Sequence, residues 1–144
     1  MSDLQRAIEI AVSAHKGQLQ KNGLPYVLHP LSLMQSVRSV NAKITAVLHD
    51  VVEDTAWTME DLETEGFSQR VLAALDCLTH TPEESYEEYI SKIRTNPLAR
   101  EVKLADLQDN MNIRRIPELQ PKDLKRLERY HQAWNTLIES IEAN

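Results

Sequence analysis

In the segment AVLHDVVEDT, the dipeptide His49-Asp50 is followed four residues on by Glu53 and Asp54, so an imidazole and three carboxylates fall on one short apolar stretch. On a helix the pairs 49/53 and 50/54 would share nearly one face. Burying an unpaired charge costs several kcal/mol, so this cluster calls for a cation or a dense hydrogen-bond network. At a helix C-terminus the acids also oppose the macrodipole, by ~0.3–1 kcal/mol each. A divalent metal neutralises them together; the plain alternative is a helix end that has reached water.

A second cluster stands in REVKLADLQDNMNIRR, where Lys103, Asp106 and Asn110 are spaced by three and four residues and share a helical face. Leu104 and Ala105 are assigned to the opposite, core side. Read alone, that triplet also fits a solvated stripe. Joined to His29 and His49-Asp50, Asp106 completes a set of two imidazoles and two carboxylates. Such a mixed N/O set suits manganese, iron, zinc or magnesium better than a soft-ligand metal.

These groups must be carried by helices. The chain has 144 residues with only 3 Gly and 5% aromatics, against many Leu, Ala, Glu and Lys, and so favours an all-α fold in a single domain over residues 1–144. Residues 3 to 16 place Leu4, Ala7, Ile8, Ala11 and Val12 on one face, with Ser2 or Asp3 as cap. GQLQKNGLPYVL reads as an ordered loop with a short extended piece, and Pro30 suits the first turn of the next helix, which sets His29 at a helix N-terminus. Residues 42 to 54 read as one apolar helix with its acids at the C-terminal end. Thr58 with Asp61 forms a capping-box signal, Ser68 caps FSQRVLAALDCLT, Thr81 to Glu84 precede SYEEYISKIRT, and Asn96-Pro97 opens the helix carrying KLAD. The last helix, from about Lys122 to Glu142, puts Leu124, Leu127, Tyr130, Trp134, Leu137, Ile138 and Ile141 in register.

Charge and composition narrow the function. A net charge of -6 offers no broad positive field for nucleic acid or anionic membrane, so any phosphate must be captured locally. No apolar run approaches the ~20 residues that span a bilayer. The single Cys77 cannot form an internal disulfide, and the N-terminal stretch lacks the apolar run of a signal peptide; the expected compartment is the cytoplasm.

The ordered series HKGQLQKNGLPYVLHP, AVLHDVVEDT and VKLADLQDNM resembles the HD-domain hydrolase module of RelA/SpoT-type enzymes in its stand-alone form, the small alarmone hydrolases. The likeness runs from about residue 4 to beyond 130. It implies a helical bundle around a mononuclear metal, usually Mn²⁺, held by His29, His49, Asp50 and Asp106. Glu53 and Asp54 match the acidic pair that orients or deprotonates the attacking water. Lys21, Lys103 and Asn110 match positions near the substrate phosphates or ribose, and Tyr130 and Arg126 fall where the final helix closes the nucleotide pocket. The reaction implied is removal of the 3′-pyrophosphate from (p)ppGpp or a related alarmone.

Two positions depart from that pattern. Gln20 stands where longer relatives carry an Arg that contacts the base, and Leu107-Gln108-Asp109-Asn110 replaces the usual Arg-Leu-His-Asn after KLAD. Guanine and adenine alarmones therefore both stay open, as do an HD-type phosphatase acting on nucleoside monophosphates or NADPH and a nucleotide-binding sensor without turnover. A homo-oligomer is equally open. His15 reads as a brace for the loop carrying Lys21; His80, His131, Trp57, Trp134 and Cys77 read as packing residues.

Overall fold

The computed structural model describes residues 3–142, and among them the chain is helical, with only a single isolated bridge between Leu19 and Pro25. The helices are α1 (Leu4–Ala14), α2 (Leu28–Ser36), α3 (Val40–Leu48), α4 (Val51–Asp54), α5 (Met59–Glu65), α6 (Gln69–Leu78), α7 (Tyr86–Arg94), α8 (Pro97–Asn110) and α9 (Pro121–Glu142), with a 3-10 turn at Ile113–Arg115. None is long and apolar enough to cross a membrane.

Most of the starts are set by short polar side chains that take up orphan backbone N–H groups. Asp3, Ser39, Ser68, Ser85 and Asn96 each accept from the N–H three residues on. Thr58 and Asp61 complete a reciprocal capping box, and Gly66, at φ 92°, closes α5 in the left-handed conformation that glycine tolerates. Asp3 is thus the cap of α1, while Ser2 lies outside the described residues.

Helices α3 and α8 form the hub. Helix α3 packs on α1, α2, α6 and α8, and α8 on α2, α3, α6, α7 and α9. Ala46, Val47 and Leu48 are fully buried on α3, and Ala99, Val102 and Leu107 on α8. One apolar cluster gathers Ile10, Leu48, Val51, Leu62 and Leu75; the other gathers Leu33, Ile90, Ile93, Val102 and Leu137. His49, Asp50, Lys103 and Asp106 belong to or follow these two central helices, so their backbone is anchored by the best-packed part of the chain.

Four expectations from periodicity need correction. Residues 42 to 54 are two helices, because the chain turns at His49-Asp50. The cause is local: Ala46 O, which a continuing helix would give to the Asp50 N–H, instead accepts from His49 Nδ1 at 2.6 Å and from the His49 N–H. Helix α7 is capped by Ser85 and starts at Tyr86, and the Thr81 N–H is taken by Glu84 Oε1. On α8 the inward face carries Lys103 and Asp106, whereas Leu104 and Ala105 are only half-buried. On α9 Leu124 and Ile141 are exposed, and Asp123, Ala133, Leu137 and Ser140 are the buried residues.

Candidate metal centre and nucleotide cavity

Asp106 Oδ1 is the point on which the site converges. His29 Nε2 lies 2.8 Å from it, His49 Nε2 3.4 Å, and Asn110 Nδ2 donates to it at 3.1 Å. Of the four positions read from the sequence as a metal set, His29, His49 and Asp50 bring one donor atom each within 4.8 Å of one another; Asp106 stands outside that group but reaches both imidazoles. His29 arrives from the first turn of α2, His49 and Asp50 from the break after α3, and Asp106 from α8.

The two imidazoles are held alike. His49 Nδ1 points at a carbonyl, which can only accept, so that nitrogen carries the proton. His29 Nδ1 faces Asp109 Oδ2 at 2.5 Å and is likewise a donor. Both Nε2 atoms then turn toward carboxylate oxygens. His49 Nε2 is buried, 2.9 Å from Asp50 Oδ2, yet makes no hydrogen bond among the described residues. In the neutral tautomer each Nε2 would set a lone pair against a carboxylate, which is unfavourable unless a cation lies between them. This donor set fits a metal ion, each histidine being oriented through its other nitrogen in the usual carboxylate or carbonyl arrangement.

Protonation of the imidazoles relieves the same clash. Burial works against a charged His29, yet its bonds to Asp106 and Asp109 outweigh it and hold its pKa above the ordinary histidine value. His49 is likewise raised, burial being outweighed by Asp50 and Asp106. Burial pushes the Asp106 carboxyl up, but Lys103 and the two histidines pull it well below the usual range.

Several supporting residues had not been singled out. The Tyr26 hydroxyl donates to Asp50 Oδ2, and burial together with the Asp50 charge pushes its pKa upward, so it stays a donor. Arg115 places Nη1 3.2 Å from Asp109 Oδ2, and its Nη2 donates to the Asp109 carbonyl. The His80 N–H donates to Glu53 Oε1 at 2.7 Å. The PY of the loop motif could have pointed to Tyr26; no spacing signal ties Arg115 or the His80 backbone to the centre. His15 matches its bracing role, with Nδ1 2.9 Å from Gln18 Oε1 and its ring against Tyr26.

Glu53 and Asp54 lie in the next turn and share a second group with Asp50, one oxygen from each within 4.8 Å. Both are exposed by residue. Burial of the carboxyl raises the pKa of Glu53, opposed by the His80 N–H, and burial and Asp50 raise that of Asp54. Beside the centre opens a cavity of about 230 Å³ whose lining includes Lys21, His29, Asn110, Arg115, Arg126 and Tyr130. Lys21 reaches across its mouth to Asp123 Oδ1 at 3.1 Å, which joins the loop to the start of α9. Lys103 does not line it. That side chain is 9% exposed, with Nζ 2.9 Å from Asp106 Oδ2 and 5.1 Å above the Tyr89 ring.

No family model matches the chain. It is 33% identical over 137 residues to a probable GTP pyrophosphokinase of Mycobacterium leprae, 85% of this chain but 17% of that protein. It is 31% identical over 121 residues to the guanosine-3′,5′-bis(diphosphate) 3′-pyrophosphohydrolase of Aquifex aeolicus, covering 76% and 17%. The bifunctional (p)ppGpp synthase/hydrolase SpoT of Escherichia coli is 29% identical over 140 residues, covering 88% and 20%. The chain therefore spans a fifth or less of the length of these relatives. A solved structure of a metazoan SpoT ortholog, described as hydrolysing ppGpp and acting in starvation responses, matches with a TM-score of 0.81 at 21% identity, over 95% of this chain and 86% of the other. That likeness gives the fold.

Proposed function

We propose that this chain, a relative in sequence and fold of the HD-domain hydrolase module of RelA/SpoT-type proteins, is a metal-dependent nucleotide pyrophosphohydrolase contained in one domain. Its substrate on this reading is (p)ppGpp or the adenine counterpart (p)ppApp, and the bond broken is that joining the 3′-pyrophosphate to the nucleoside.

One observation carries the reading: both histidines have Nδ1 committed as a donor and turn Nε2 toward Asp106, with Asp50 alongside. His29, His49, Asp50 and Asp106 would hold the ion, and Mn²⁺ suits their mixed N/O character. Such an ion supplies a lowered pKa for a coordinated water and neutralises phosphoryl oxygens. Glu53 and Asp54, one turn from Asp50, take up the proton of the attacking water; their upward-shifted pKa values bring them nearer to the working pH of a general base. Lys21 and Arg126 bind phosphate oxygens, and Asn110 and Tyr130 the ribose and its substituents, since all four line the cavity that His29 also lines. Lys103 has a different task from the substrate contact that the family resemblance implied: it fixes the Asp106 carboxylate. The relatives' names divide between pyrophosphokinase and pyrophosphohydrolase, and a metal set with two exposed acids beside it favours attack by water.

A Mn²⁺-supplemented screen of ppGpp, ppApp, nucleoside monophosphates and NADPH, with both products identified, tests the proposal. Inorganic pyrophosphate released from ppGpp or ppApp is expected. Orthophosphate from a monophosphate or from NADPH would instead establish the phosphatase, and tight binding without turnover the sensor.

A further inference from the structure

Asp109 occupies the site of the second departure from the family pattern, an acid where a potential cation is usual, and it is three residues from Asp106. Facing the cavity, it would repel an anionic substrate. Its carboxylate is otherwise engaged: Oδ2 receives His29 Nδ1 at 2.5 Å and stands 3.2 Å from Arg115 Nη1, while the Asp109 carbonyl takes Arg115 Nη2. Both Nη atoms of one guanidinium on the 3-10 turn thus clamp a residue near the end of α8.

Resting on the metal-centre reading above, we infer that Asp109 is a positioning residue: held by Arg115, it locks His29 in the Nδ1–H form and turns Nε2 toward the metal. The physical ground is a two-ended constraint. An imidazole with one nitrogen bonded to a fixed carboxylate can neither rotate about its Cβ–Cγ bond nor exchange tautomers without breaking that bond. His49 obtains the same constraint from Ala46 O, a backbone atom inside a well-packed helix. His29 has no such carbonyl, and the side chain of Asp109 replaces it. Arg115 offsets the added negative charge, so the acid is present without facing substrate unpaired. Asp109 touches neither substrate nor reacting atoms and acts only through His29.

The readout is metal affinity rather than turnover. Mn²⁺ dissociation constants, measured by chelator competition on the full chain, should weaken about 10- to 100-fold in Asp109→Ala, the range for lost outer partners of metal-bound histidines. Asp109→Asn keeps an oxygen acceptor but loses the charge, so it should recover part of the affinity. Arg115→Gln, which leaves Asp109 in place, should weaken binding less than Asp109→Ala. Absorption of the Co²⁺-loaded proteins should change in intensity in Asp109→Ala, reporting altered ligand geometry, and far-UV circular dichroism separates this from misfolding. Asp106→Ala is the control. If it loses metal while Asp109→Ala binds as tightly as wild type with an unchanged Co²⁺ spectrum, the positioning role is overturned and the metal centre stands. If wild type and Asp106→Ala bind alike, the metal centre itself fails, and this inference with it. Should Asp109→Ala not fold, Asp109→Asn and Arg115→Gln decide, and wild-type affinity in both overturns the role.

Discussion

Replacing Lys103 with Met should destabilise the metal-free protein by about 3–5 kcal/mol, the cost of leaving a buried carboxylate without its cation. The Nζ–Oδ2 separation of 2.9 Å corresponds to an attraction of about 6 kcal/mol at an effective dielectric of about 20. Desolvation of both ions, several kcal/mol each, offsets most of that in the intact pair. Truncating one partner removes the attraction and keeps the other ion buried. Asp106 retains Asn110 at 3.1 Å and the imidazoles, which draws the expected loss toward the lower end. At about 3–4 °C per kcal/mol for a chain of this size, the fall in Tm is about 10–20 °C. The assay is thermal and urea unfolding in EDTA at pH 8, where histidine protonation gives least compensation. The double variant Lys103→Met/Asp106→Leu removes both charges and should regain much of the loss, since an apolar pair of similar volume often replaces a buried ion pair at little cost. Mn²⁺ should narrow the gap between wild type and Lys103→Met. A single variant within 1 kcal/mol of wild type would refute the charge argument, and a double variant no better than the single one would assign the loss to packing above Tyr89.

Three further outcomes follow from the same centre. Glu53→Gln and Asp54→Asn should each be folded and metal-replete, with kcat reduced by about 10²–10⁴ for whichever acid takes the proton; wild-type turnover in both excludes them from proton transfer. In EDTA, stability should fall as pH rises above the ordinary histidine range. The raised His29 and His49 pKa values give a stabilisation fully present below the unfolded value near 6.5 and lost as pH climbs through the folded values. Added metal should therefore raise Tm more at pH 8.5 than at pH 6, and a pH-independent increment would contradict the assignment. Tyr26→Phe removes the hydroxyl that donates to Asp50 Oδ2 and should weaken Mn²⁺ affinity about tenfold, read by chelator competition; an unchanged affinity would reduce Tyr26 to cavity lining.

Much of the helical framework was legible because caps and prolines act locally. Thr58/Asp61, Ser68 and Asn96-Pro97 name their own helix starts, and each does so in the structure through a bond to a backbone N–H three residues on. Where legibility failed, a side chain competed with the backbone or with another cap. No periodicity announces that the His49 imidazole will take Ala46 O and turn the chain, nor that Glu84 will hold Thr81 while Ser85 begins α7. The break has a consequence for the site. It separates the acids of VVED from the helix before them, and Glu53 finds its partner in the His80 N–H, at the end of another helix.

The inverted face of α8 explains why the site itself was harder to read than its ligands. Hydrophobic patterning assigns Leu104 and Ala105 inward and charge outward, because an isolated charge loses hydration energy on burial. In this cluster that premise fails: Lys103 and Asp106 enter the core together, each supplying what the other loses from water, with the histidines beside them. Residue type and order single out His29, His49, Asp50 and Asp106 as candidate ligands, and the fold brings their side chains close together. The groups that orient them are chosen by geometry alone. Asp109 and Arg115 come from different turns and meet His29 only because α8 ends beside the first turn of α2. An acid at position 109 therefore reads as a defect in the substrate pocket until its partner is known. With His29 on one side of it and Arg115 on the other, it is a paired acid that fixes one imidazole of the candidate centre.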